Sequence, residues 1–370
     1  MDTFLLTGGA GFIGSHLLEE LLQKKNNKVI VIDNFNDFYD YTIKVRNIMD
    51  VLYAIFSDNK EEKLRKHFSN IDKIYIQMKN NLLCNTDKEK FLSLFIKEAN
   101  SITENFVLHY TDIRNQEELD NIFSKNNIGT VIHFAAMAGV RPSFDNPGLY
   151  EEVNVGGTIN ILEIMKKYDV NRFICASSSS VYGNNQKLPF SEEDNIGYTL
   201  SPYAHTKKSC EDIGHLYWKY FNINTIMLRF FTVFGPRQRP DLAIHKFLNL
   251  MAQGAEIPFF GDGSSGRDYT YIKDIISGII KSIEYMNNNK NCYEIFNLGN
   301  SNVISLDNMV NILEKVSCYN LRLKIMDFQQ GDMPITYADI SKSKNLLGYQ
   351  PETFFMRGIE KFYIWYKDKI

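Results

Sequence analysis

Short apolar runs alternate along this chain with longer stretches in which apolar residues recur at helical spacing. Residues 4–7 and 29–32 are apolar runs of strand length, and the leucines between them repeat every three or four positions. Further apolar runs of strand length follow at 107–110, 131–135, 173–176 and 225–231. Helical patterns lie between them at 153–168 and 202–221. Apolar strands that alternate with helices are typical of a parallel sheet covered by helices on both faces.

Two regions interrupt this alternation. Residues 34–105 separate the second and third predicted strands by 72 residues, which far exceeds an ordinary connection. Because 82–99 carries helical periodicity, with Phe91, Leu94 and Phe95 on one side, we interpret 47–105 as a partly helical insert. The insert is either a lid or dimer contact or a tolerated surface insertion. After Gly235 the pattern becomes less regular and indicates a smaller region of mixed structure.

The predicted fold class is therefore α/β, with a Rossmann doubly wound parallel sheet and a smaller mixed α/β C-terminal domain. We place the first domain at residues 1–236, including the insert, and the second mainly at 237–370, with some segments of the second returning to the sheet. The predicted division rests on the change in pattern after Gly235.

Composition limits the classes of partner. A net charge of -3 and the absence of a cationic or long apolar N-terminal segment give no case for nucleic acid or a membrane. The five cysteines form no C-x-x-C pair, so neither a zinc site nor any other metal site is indicated. We expect a cytoplasmic protein.

A glycine-rich turn lies between the first predicted strand and the first helix. Gly8, Gly11 and Gly14 form G-x-x-G-x-x-G, which lets a pyrophosphate approach the backbone at a helix N-terminus. Asp33 ends the second strand, where a carboxylate accepts hydrogen bonds from ribose hydroxyls and repels a 2'-phosphate. Because Asn34 follows rather than an arginine, the sequence predicts NAD rather than NADP as the cofactor.

A second group of residues indicates proton transfer. Tyr203 and Lys207 stand four residues apart at the start of a predicted helix and so share one face. The positive charge of Lys207 favours the ionised phenol, which makes Tyr203 a candidate general base, and Lys207 could also hold the nicotinamide ribose. Ser178 follows a predicted strand and is the candidate hydroxyl that bonds the substrate oxygen.

These motifs together resemble the extended short-chain dehydrogenase/reductase family, in its nucleotide-sugar epimerase and dehydratase branch. The resemblance lies in T-G-G-A-G-F-I-G at 7–14, H-F-A-A at 133–136, S-S-S-V-Y-G at 178–183 and Y-A-H-T-K at 203–207. It implies a Rossmann domain that binds NAD, a C-terminal domain that binds a nucleoside-diphosphate sugar, by analogy a UDP-sugar, and a homodimer.

Further segments are most similar to UDP-glucuronate 4-epimerases. They are A-G-V-R-P-S at 138–143, R-F-F-T-V-F-G-P at 229–236, R-P-D at 239–241, N-F-N-D-F-Y-D at 34–40 and D-M-P-I-T-Y-A-D at 332–339. The motifs and the resemblance together assign cofactor binding to Gly8, Gly11, Phe12, Ile13, Gly14, Asp33, Asn34, Asp112, Ile113, Ala135, Ala136, Asn154, Tyr203 and Lys207. Substrate binding is assigned to Arg141, Ser178, Ser179, Thr232, Arg239, Arg267 and Asp332.

Two of these assignments have alternatives. Asp112 and Ile113 either contact the adenine edge or form a structural cap. Arg141 either binds the substrate anion, holds the serine turn or forms a structural salt bridge. Arg267 is similar in position to a family arginine that binds the pyrophosphate.

The resemblance implies a transient oxidation, in which Tyr203 removes the C4 hydroxyl proton, a hydride passes to NAD and returns to the opposite face of a rotated 4-keto sugar. The 4,6-dehydratases of this branch carry an Asp-Glu pair where Ser179 and Ser180 stand here. The serines disfavour standard 4,6-dehydration. A 4,6- or 5,6-dehydratase, a UDP-N-acetylglucosamine 4-epimerase, a UDP-glucuronate decarboxylase and a non-catalytic NAD-binding protein are the alternatives.

Overall fold

The computed structural model of the chain describes residues 2–56, 62–80, 88–327 and 333–368. The strands are β1 Asp2–Thr7, β2 Asn27–Asp33, β3 Phe106–Tyr110, β4 Thr130–His133, β5 Arg172–Ser178, β6 Asn224–Phe230, β7 Thr232–Phe234, β8 Ile257–Phe260, β9 Gly266–Tyr271, β10 Tyr293–Leu298, β11 Val303–Ser305 and β12 Leu323–Met326.

The helices of the N-terminal half are α1 Phe12–Gln23, α2 Tyr41–Phe56, α3 Glu62–Asn80, α4 Lys88–Asn100, α5 Gln116–Ser124, α6 Pro142–Asp145, α7 Pro147–Tyr150 and α8 Gly157–Lys167. Those of the C-terminal half are α9 Pro202–Phe221, α10 Ala243–Ala252, α11 Ile272–Asn288, α12 Leu306–Ser317, α13 Ser341–Leu347 and α14 Phe355–Lys367. A π-helical segment, Glu151–Gly156, precedes α8, and a 3-10 turn, Ser179–Tyr182, follows β5.

The large sheet confirms the predicted fold class. Its seven strands follow the order β10-β6-β5-β4-β1-β2-β3, and β1 pairs in parallel with both β2 and β4. All six predicted strands are present, although β4 ends at His133, two residues earlier than predicted. The Phe134 N–H still donates to the Thr7 carbonyl oxygen, but the Ala135 N–H donates to the Thr7 hydroxyl instead of to a backbone carbonyl.

Burial explains why the central strands are continuously apolar. The side chains of Leu5 and Leu6 in β1 and of residues 29–32 in β2 are fully buried. Helices cover a parallel sheet on both faces, so neither side of these strands favours a polar residue. Each such side chain contributes about 1.5–3 kcal/mol relative to an exposed one.

The chain forms two compact units. The first comprises the described residues up to Ala136 together with Glu152–Cys175 and Leu216–Asn224. The second comprises Met137–Glu151, Ala176–His215 and the described residues from Thr225 onward. The C-terminal strand β10 lies in the large sheet, parallel to β6. A functional division at residue 236 stays a prediction.

The predicted insert is helical over its described part. Helix α2 begins at Tyr41, before the predicted start of the insert at 47, and α4 occupies the C-terminal part of the predicted helix at 82–99, of which 82–87 lies outside the described residues. The buried positions of α4 include Phe91, Leu92 and Phe95, whereas Leu94 is 42% exposed. The prediction that Leu94 shares the packed face was therefore wrong, because Leu92 takes that place.

The second unit contains two smaller sheets. In one, β9 pairs in parallel with β7 and antiparallel with β11; in the other, β8 pairs in parallel with β12. The aromatic stretch near the C-terminus forms α14, whose packed face includes Phe355, Ile359 and Phe362. Among the described residues, no helix has the length and apolarity needed to cross a bilayer. No group of three or more His, Cys, Asp or Glu side chains suited to a metal ion is found within the same ranges.

Candidate active site

The glycine turn after β1 is shaped by close backbone approaches. Gly8 has a φ of +70°, and a Cβ at this position would lie 2.8 Å from the Ala135 nitrogen. A Cβ at Gly14 would lie 2.2 Å from the Gly8 carbonyl oxygen. The turn is closed by the Gly11 N–H, which donates to that same oxygen at 3.1 Å. The short distances at positions 8 and 14 thus explain why both residues are glycine.

The start of α1 fits a pyrophosphate group. Helix α1 begins at Phe12 after the N-cap Gly11, which supplies no side-chain hydrogen bond, and its first turn carries no acidic residue. The backbone N–H groups of Phe12, Ile13 and Gly14 precede the first full helical turn and point out of the N-terminus. Such N–H groups together with the helix dipole attract an anion.

Asp33 occupies the predicted place at the end of β2, where it is buried and already bonded. Its Oδ2 accepts from the Ala10 N–H at 3.2 Å and its Oδ1 from the Phe35 N–H at 2.8 Å. The Lys44 ammonium lies 3.4 Å from Oδ1 and donates to the Asn36 Oδ1 at 3.1 Å. These contacts fix the carboxylate next to the glycine turn. Sequence reasoning missed Lys44, although a lysine amid the apolar residues of α2 was a signal for it.

Three further predicted cofactor residues of the first unit are Asn34, Asp112 and Ile113, whose contacts the structure describes. Asn34 Nδ2 donates to the Asp112 Oδ2 at 2.9 Å, and Arg114 also donates to Asp112. Partial burial alone would raise the pKa of Asp112, but the Arg114 hydrogen bonds outweigh it and lower that pKa. Ile113 is buried against Gly157, where a Cβ would lie 2.4 Å from its Cδ1.

Ala135 and Ala136 follow β4, and Ala135 is the residue on which Gly8 packs. Asn154 is buried in the π-helical segment, and its carbonyl oxygen accepts from the Thr158 hydroxyl at 2.5 Å. The Asn34–Asp112–Arg114 arrangement is compatible with both interpretations of Asp112, the adenine contact and the structural cap.

Tyr203 and Lys207 lie in the first two turns of α9, as predicted. The helix is capped by Ser201, whose hydroxyl accepts from the Ala204 N–H at 3.1 Å. The Lys207 ammonium is buried and donates to the carbonyl oxygen of Ala176 in β5 at 2.8 Å. The Tyr203 ring meets the edge of the Tyr150 ring at a centroid distance of 6.3 Å.

Ser178 ends β5 and begins the turn that was predicted to bind substrate. Its hydroxyl oxygen accepts from the Ser180 N–H at 3.1 Å and donates to the Ser180 hydroxyl at the same distance. Lys207 contacts Ala176, two residues before Ser178, so the lysine and the serine lie at the same end of β5. The structure therefore brings Lys207 and Ser178 to one end of β5 in the second unit.

The predicted substrate residues of the second unit lie on several elements. Arg141 places its guanidinium over the Phe260 ring at 5.2 Å, and Arg239 makes two hydrogen bonds to Asp241. Thr232 begins β7, which pairs with β9. Ser179 is the first residue of the 3-10 turn. Asp332 lies outside the described residues.

Arg267 is oriented by β9 and by the segment after 332. Its guanidinium donates to the Gly266 carbonyl oxygen at 2.8 Å and to the Pro334 carbonyl oxygen at 3.3 Å. Gly266 also forms an isolated parallel bridge with Ile335. The backbone that carries Arg267 is thus attached to the D-M-P-I-T-Y-A-D segment, a link that the sequence did not predict.

The neighbouring Asp268 is a buried carboxylate that joins two loops. Its oxygens accept from the N–H groups of Asn300 at 2.7 Å, Ser301 at 3.0 Å and Ala338 at 3.1 Å. Burial raises the pKa of Asp268 to about 6, although these hydrogen bonds oppose the shift. Because Asp268 follows Arg267 directly, its contacts fix the strand that presents the guanidinium.

Replacing Asp268 with alanine is expected to lower the free energy of unfolding by about 2–4 kcal/mol, because three backbone N–H groups lose their acceptor. Urea denaturation followed by circular dichroism measures the effect. Asp262→Ala is the matched control, since Asp262 is an exposed carboxylate that bonds only Ser264 among the contacts described. Equal denaturation midpoints for the two variants would show that the loops do not depend on Asp268.

Comparison with known proteins shows a family match and full-length relatives. The sequence model of the NAD-dependent epimerase/dehydratase family matches residues 4–299. A UDP-glucuronate 4-epimerase of Thermodesulfobacterium geofontis is 35% identical over 371 aligned positions, which cover 100% of this chain and 98% of that protein.

Two solved structures are similar over nearly the whole chain. The UDP-glucuronic acid 4-epimerase of Bacillus cereus, crystallised with UDP-glucuronic acid and NAD, has a TM-score of 0.81 and 31% identity, with 100% of both chains covered. The UDP-glucose 4-epimerase of Thermotoga maritima, with UDP-glucose, has a TM-score of 0.78 and 25% identity, with 99% of both chains covered.

Proposed function

The chain belongs to the NAD-dependent epimerase/dehydratase family, and we propose that it is a UDP-glucuronate 4-epimerase. It is an NAD-dependent epimerase whose relatives include UDP-glucuronate 4-epimerases that match it over its full length. The T. geofontis relative and the B. cereus structure support UDP-glucuronate as the sugar nucleotide.

The observation that carries the epimerase reaction in this proposal is the pair of serines after Ser178. Residues 179 and 180 begin the 3-10 turn with hydroxyl side chains, where the 4,6-dehydratases of this branch carry an acid pair. Elimination of water needs an acid and a base next to the sugar, whereas epimerisation at C4 needs one proton acceptor and a hydride acceptor. The turn therefore favours epimerisation over 4,6-dehydration.

The proposed reaction uses the residues at the end of β5 and the start of α9. Tyr203 accepts the proton of the C4 hydroxyl, Lys207 stabilises the phenolate, and Ser178 donates a hydrogen bond to the same sugar oxygen. NAD held at the start of α1 and by Asp33 would supply reversible acceptance of the C4 hydride. The 4-keto sugar rotates between the two transfers, and Tyr203 then returns its proton to the inverted hydroxyl.

The residues assigned to the cofactor suit NAD by their chemistry. The uncapped start of α1 offers N–H groups to the pyrophosphate through Gly11, Phe12, Ile13 and Gly14. Asp33 supplies a carboxylate for the ribose hydroxyls and would repel a 2'-phosphate. We assign the adenine side to Asn34, Asp112 and Ile113, and further contacts to Ala135, Ala136, Asn154 and Lys207.

The sugar nucleotide is assigned to the second unit. Arg267, Arg239 and Arg141 supply positive charge for the diphosphate, and residues 237–370 form most of this binding domain. Thr232 and Ser179 offer neutral hydroxyls to the sugar carboxylate. A 4-keto glucuronate is a β-keto acid, and neutral donors hold its carboxylate without promoting loss of carbon dioxide.

Product analysis tests the proposal. The purified protein is incubated separately with UDP-glucuronate, UDP-N-acetylglucosamine and UDP-glucose, and the products are identified by NMR. We expect conversion of UDP-glucuronate to its 4-epimer without net reduction of NAD. Conversion of UDP-N-acetylglucosamine alone would assign the alternative epimerase activity. An unsaturated, 4-keto-6-deoxy or decarboxylated product would overturn the epimerase assignment, and a chain that binds NAD but converts none of the sugars would be the non-catalytic alternative.

We further propose a cytoplasmic homodimer. The five cysteines of the sequence form no C-x-x-C pair and no disulfide framework is indicated, which supports a reducing compartment. The C-terminal part of α9 exposes Leu216, Tyr220 and Phe221, which is an apolar surface suited to a second copy. Sedimentation equilibrium should give twice the mass of the chain, and the monomer mass would contradict the proposal.

A further inference from the structure

The end of β5 is attached to α9 by two consecutive residues. The carbonyl oxygen of Ala176 accepts from the Lys207 ammonium at 2.8 Å, and the Ser177 hydroxyl donates to the Glu211 Oε1 at 2.5 Å. Ser178, the next residue, is the proposed substrate-binding hydroxyl. The strand thus contacts α9 one turn and two turns beyond Tyr203, in the two residues immediately before its catalytic end.

Glu211 is also paired with a buried arginine of β6. Arg229 donates through Nε to Oε1 at 2.9 Å and through Nη2 to Oε2 at 2.8 Å. The two side chains are 2% and 4% exposed. Burial alone would lower the pKa of Arg229, but the Glu211 carboxylate outweighs it and raises that pKa. A fully desolvated ion pair gains little stability over apolar side chains of similar volume, so stability alone does not account for it.

Arg229 also contacts Tyr182, at the end of the turn that follows Ser178. Its guanidinium lies over the Tyr182 ring at 4.8 Å, and the Tyr182 hydroxyl donates to the Asn297 Oδ1 at 2.7 Å. The Asn297 amide in turn donates to the carbonyl oxygen of Phe190 at 2.9 Å. One buried polar network therefore holds α9, the end of β5 and the serine turn.

We propose that Glu211 is a positioning residue, which together with Ser177 and Arg229 fixes α9 along β5 and so sets the Tyr203 phenol against the Ser178 hydroxyl. This inference rests on the proposed epimerase function, in which both groups bind the same sugar oxygen. We call Ser177, Glu211 and Arg229 the clamp.

The helix geometry explains why the clamp acts on Tyr203. Tyr203, Lys207 and Glu211 follow one another at intervals of four residues and share one face of α9. A rigid helix transmits a shift at Glu211 to Tyr203, which lies about 12 Å away along the axis. Lys207, in contrast, is attached to β5 through Ala176. Movement of α9 along β5 would therefore change the separation of the Tyr203 phenol and the Lys207 ammonium.

Arg229 has a second effect on the same pair. Without its positive charge, the buried Glu211 carboxylate would stand one helical turn from Lys207 with no cation of its own. The carboxylate would then attract the Lys207 ammonium and weaken its support of the Tyr203 phenolate. Arg229 thus pairs with the Glu211 carboxylate, so that the Lys207 ammonium can stabilise the Tyr203 phenolate.

Ser177→Ala is the mildest test, because it removes one contact between strand and helix and leaves the ion pair intact. We expect kcat to fall about tenfold, since small displacements of reacting groups have large effects on rate, while KM for the sugar nucleotide stays within about twofold. The acidic limb of the kcat–pH profile should move upward by about half a pH unit, because the phenolate loses part of its stabilisation.

Ser282→Ala is the matched control. Ser282 is also buried, and its hydroxyl donates to the Gly278 carbonyl oxygen within its own helix, α11, at 2.8 Å rather than to α9 or β5. Ser282→Ala should leave kcat and the pH profile unchanged, whereas Ser177→Ala should change both. A lower midpoint for Ser177→Ala with unchanged kcat and pH profile would mean that the clamp is only structural, and would overturn the proposal.

Glu211→Gln is the stronger variant and should give a larger fall in kcat; if it does not fold, Ser177→Ala decides alone. The rates are measured with whichever sugar nucleotide the wild type converts, so a wrong substrate assignment is seen in the wild type and leaves the comparison valid. If the wild type converts none, the ionisation of Tyr203 is followed in ultraviolet difference spectra against Tyr203→Phe. An upward shift in the Ser177→Ala background supports the clamp, and no shift overturns it.

Discussion

Tyr203→Phe is expected to lower kcat by about 10³-fold, because general acid–base groups contribute roughly 10²- to 10⁴-fold and the variant removes the only proposed proton acceptor. The ring remains, so its edge contact with Tyr150 at a centroid distance of 6.3 Å should persist and the chain should fold normally. Initial rates of epimerisation with UDP-glucuronate, together with circular dichroism, give the two measurements. KM for the sugar nucleotide should change much less than kcat, because the lost interaction acts mainly in the transition state.

Tyr198→Phe provides the control for this prediction. Tyr198 precedes α9 in the chain, is 83% exposed, and the contacts described for it are made by its backbone. Loss of its hydroxyl should leave kcat unchanged within about twofold, since surface substitutions have small effects. A Tyr203→Phe variant that kept more than about a tenth of the wild-type rate would exclude Tyr203 as the essential base.

Gly14→Ala is expected to abolish stable NAD binding and to destabilise the first unit by about 2–4 kcal/mol. A Cβ at this position would lie 2.2 Å from the Gly8 carbonyl oxygen and 2.8 Å from the Gly9 Cα. Both neighbours are backbone atoms of the turn, so no flexible side chain can move aside and the turn itself must open. The amount of NAD retained after purification and the urea midpoint measure the two effects.

Gly148→Ala is the matched control for the glycine turn. Gly148 lies within the short helix Pro147–Tyr150, and a Cβ there meets no atom within 4 Å. Alanine is the better helix former, so the control should bind NAD normally and be as stable as the wild type or slightly more stable. If Gly14→Ala retained NAD and its urea midpoint, the close approach at Gly14 would not be needed for the cofactor site.

The fold was largely predictable because its signals are local. The apolar runs at 4–7 and 29–32 give strands that are buried on both faces, and the helical pattern at 202–221 matches the observed bounds of α9. The end of β4 and the packed face of α4 were less predictable. The end of β4 depends on Thr7, which is far away along the chain and accepts from the Ala135 N–H. The packed face of α4 depends on its contacts with α3 and β3, which the periodicity of α4 alone does not predict.

The candidate site likewise contains residues that the sequence predicted and residues that it did not. Gly8, Gly14, Asp33, Tyr203 and Lys207 were found from spacing, because a phosphate turn and a general base need particular residue types at fixed intervals. Asp268 was not found, since a lone aspartate has no local signature. Lys44 was also missed, although a lysine amid the apolar residues of α2 was a signal. Their partners lie up to 70 residues away along the chain, as for Asp268 and Ala338.

The sequence by itself determined the order of strands and helices, the glycine turn, and the Tyr203–Lys207 pair, since each depends on neighbours within a few residues. Only the tertiary structure decided which side chains hold these elements in place. Ser177, Glu211 and Arg229 are separated by 34 and 18 residues, and no periodicity connects them. The reason is physical: a buried charge must find its partner in space, and the folded sheet, rather than the order of residues, brings that partner within hydrogen-bonding distance.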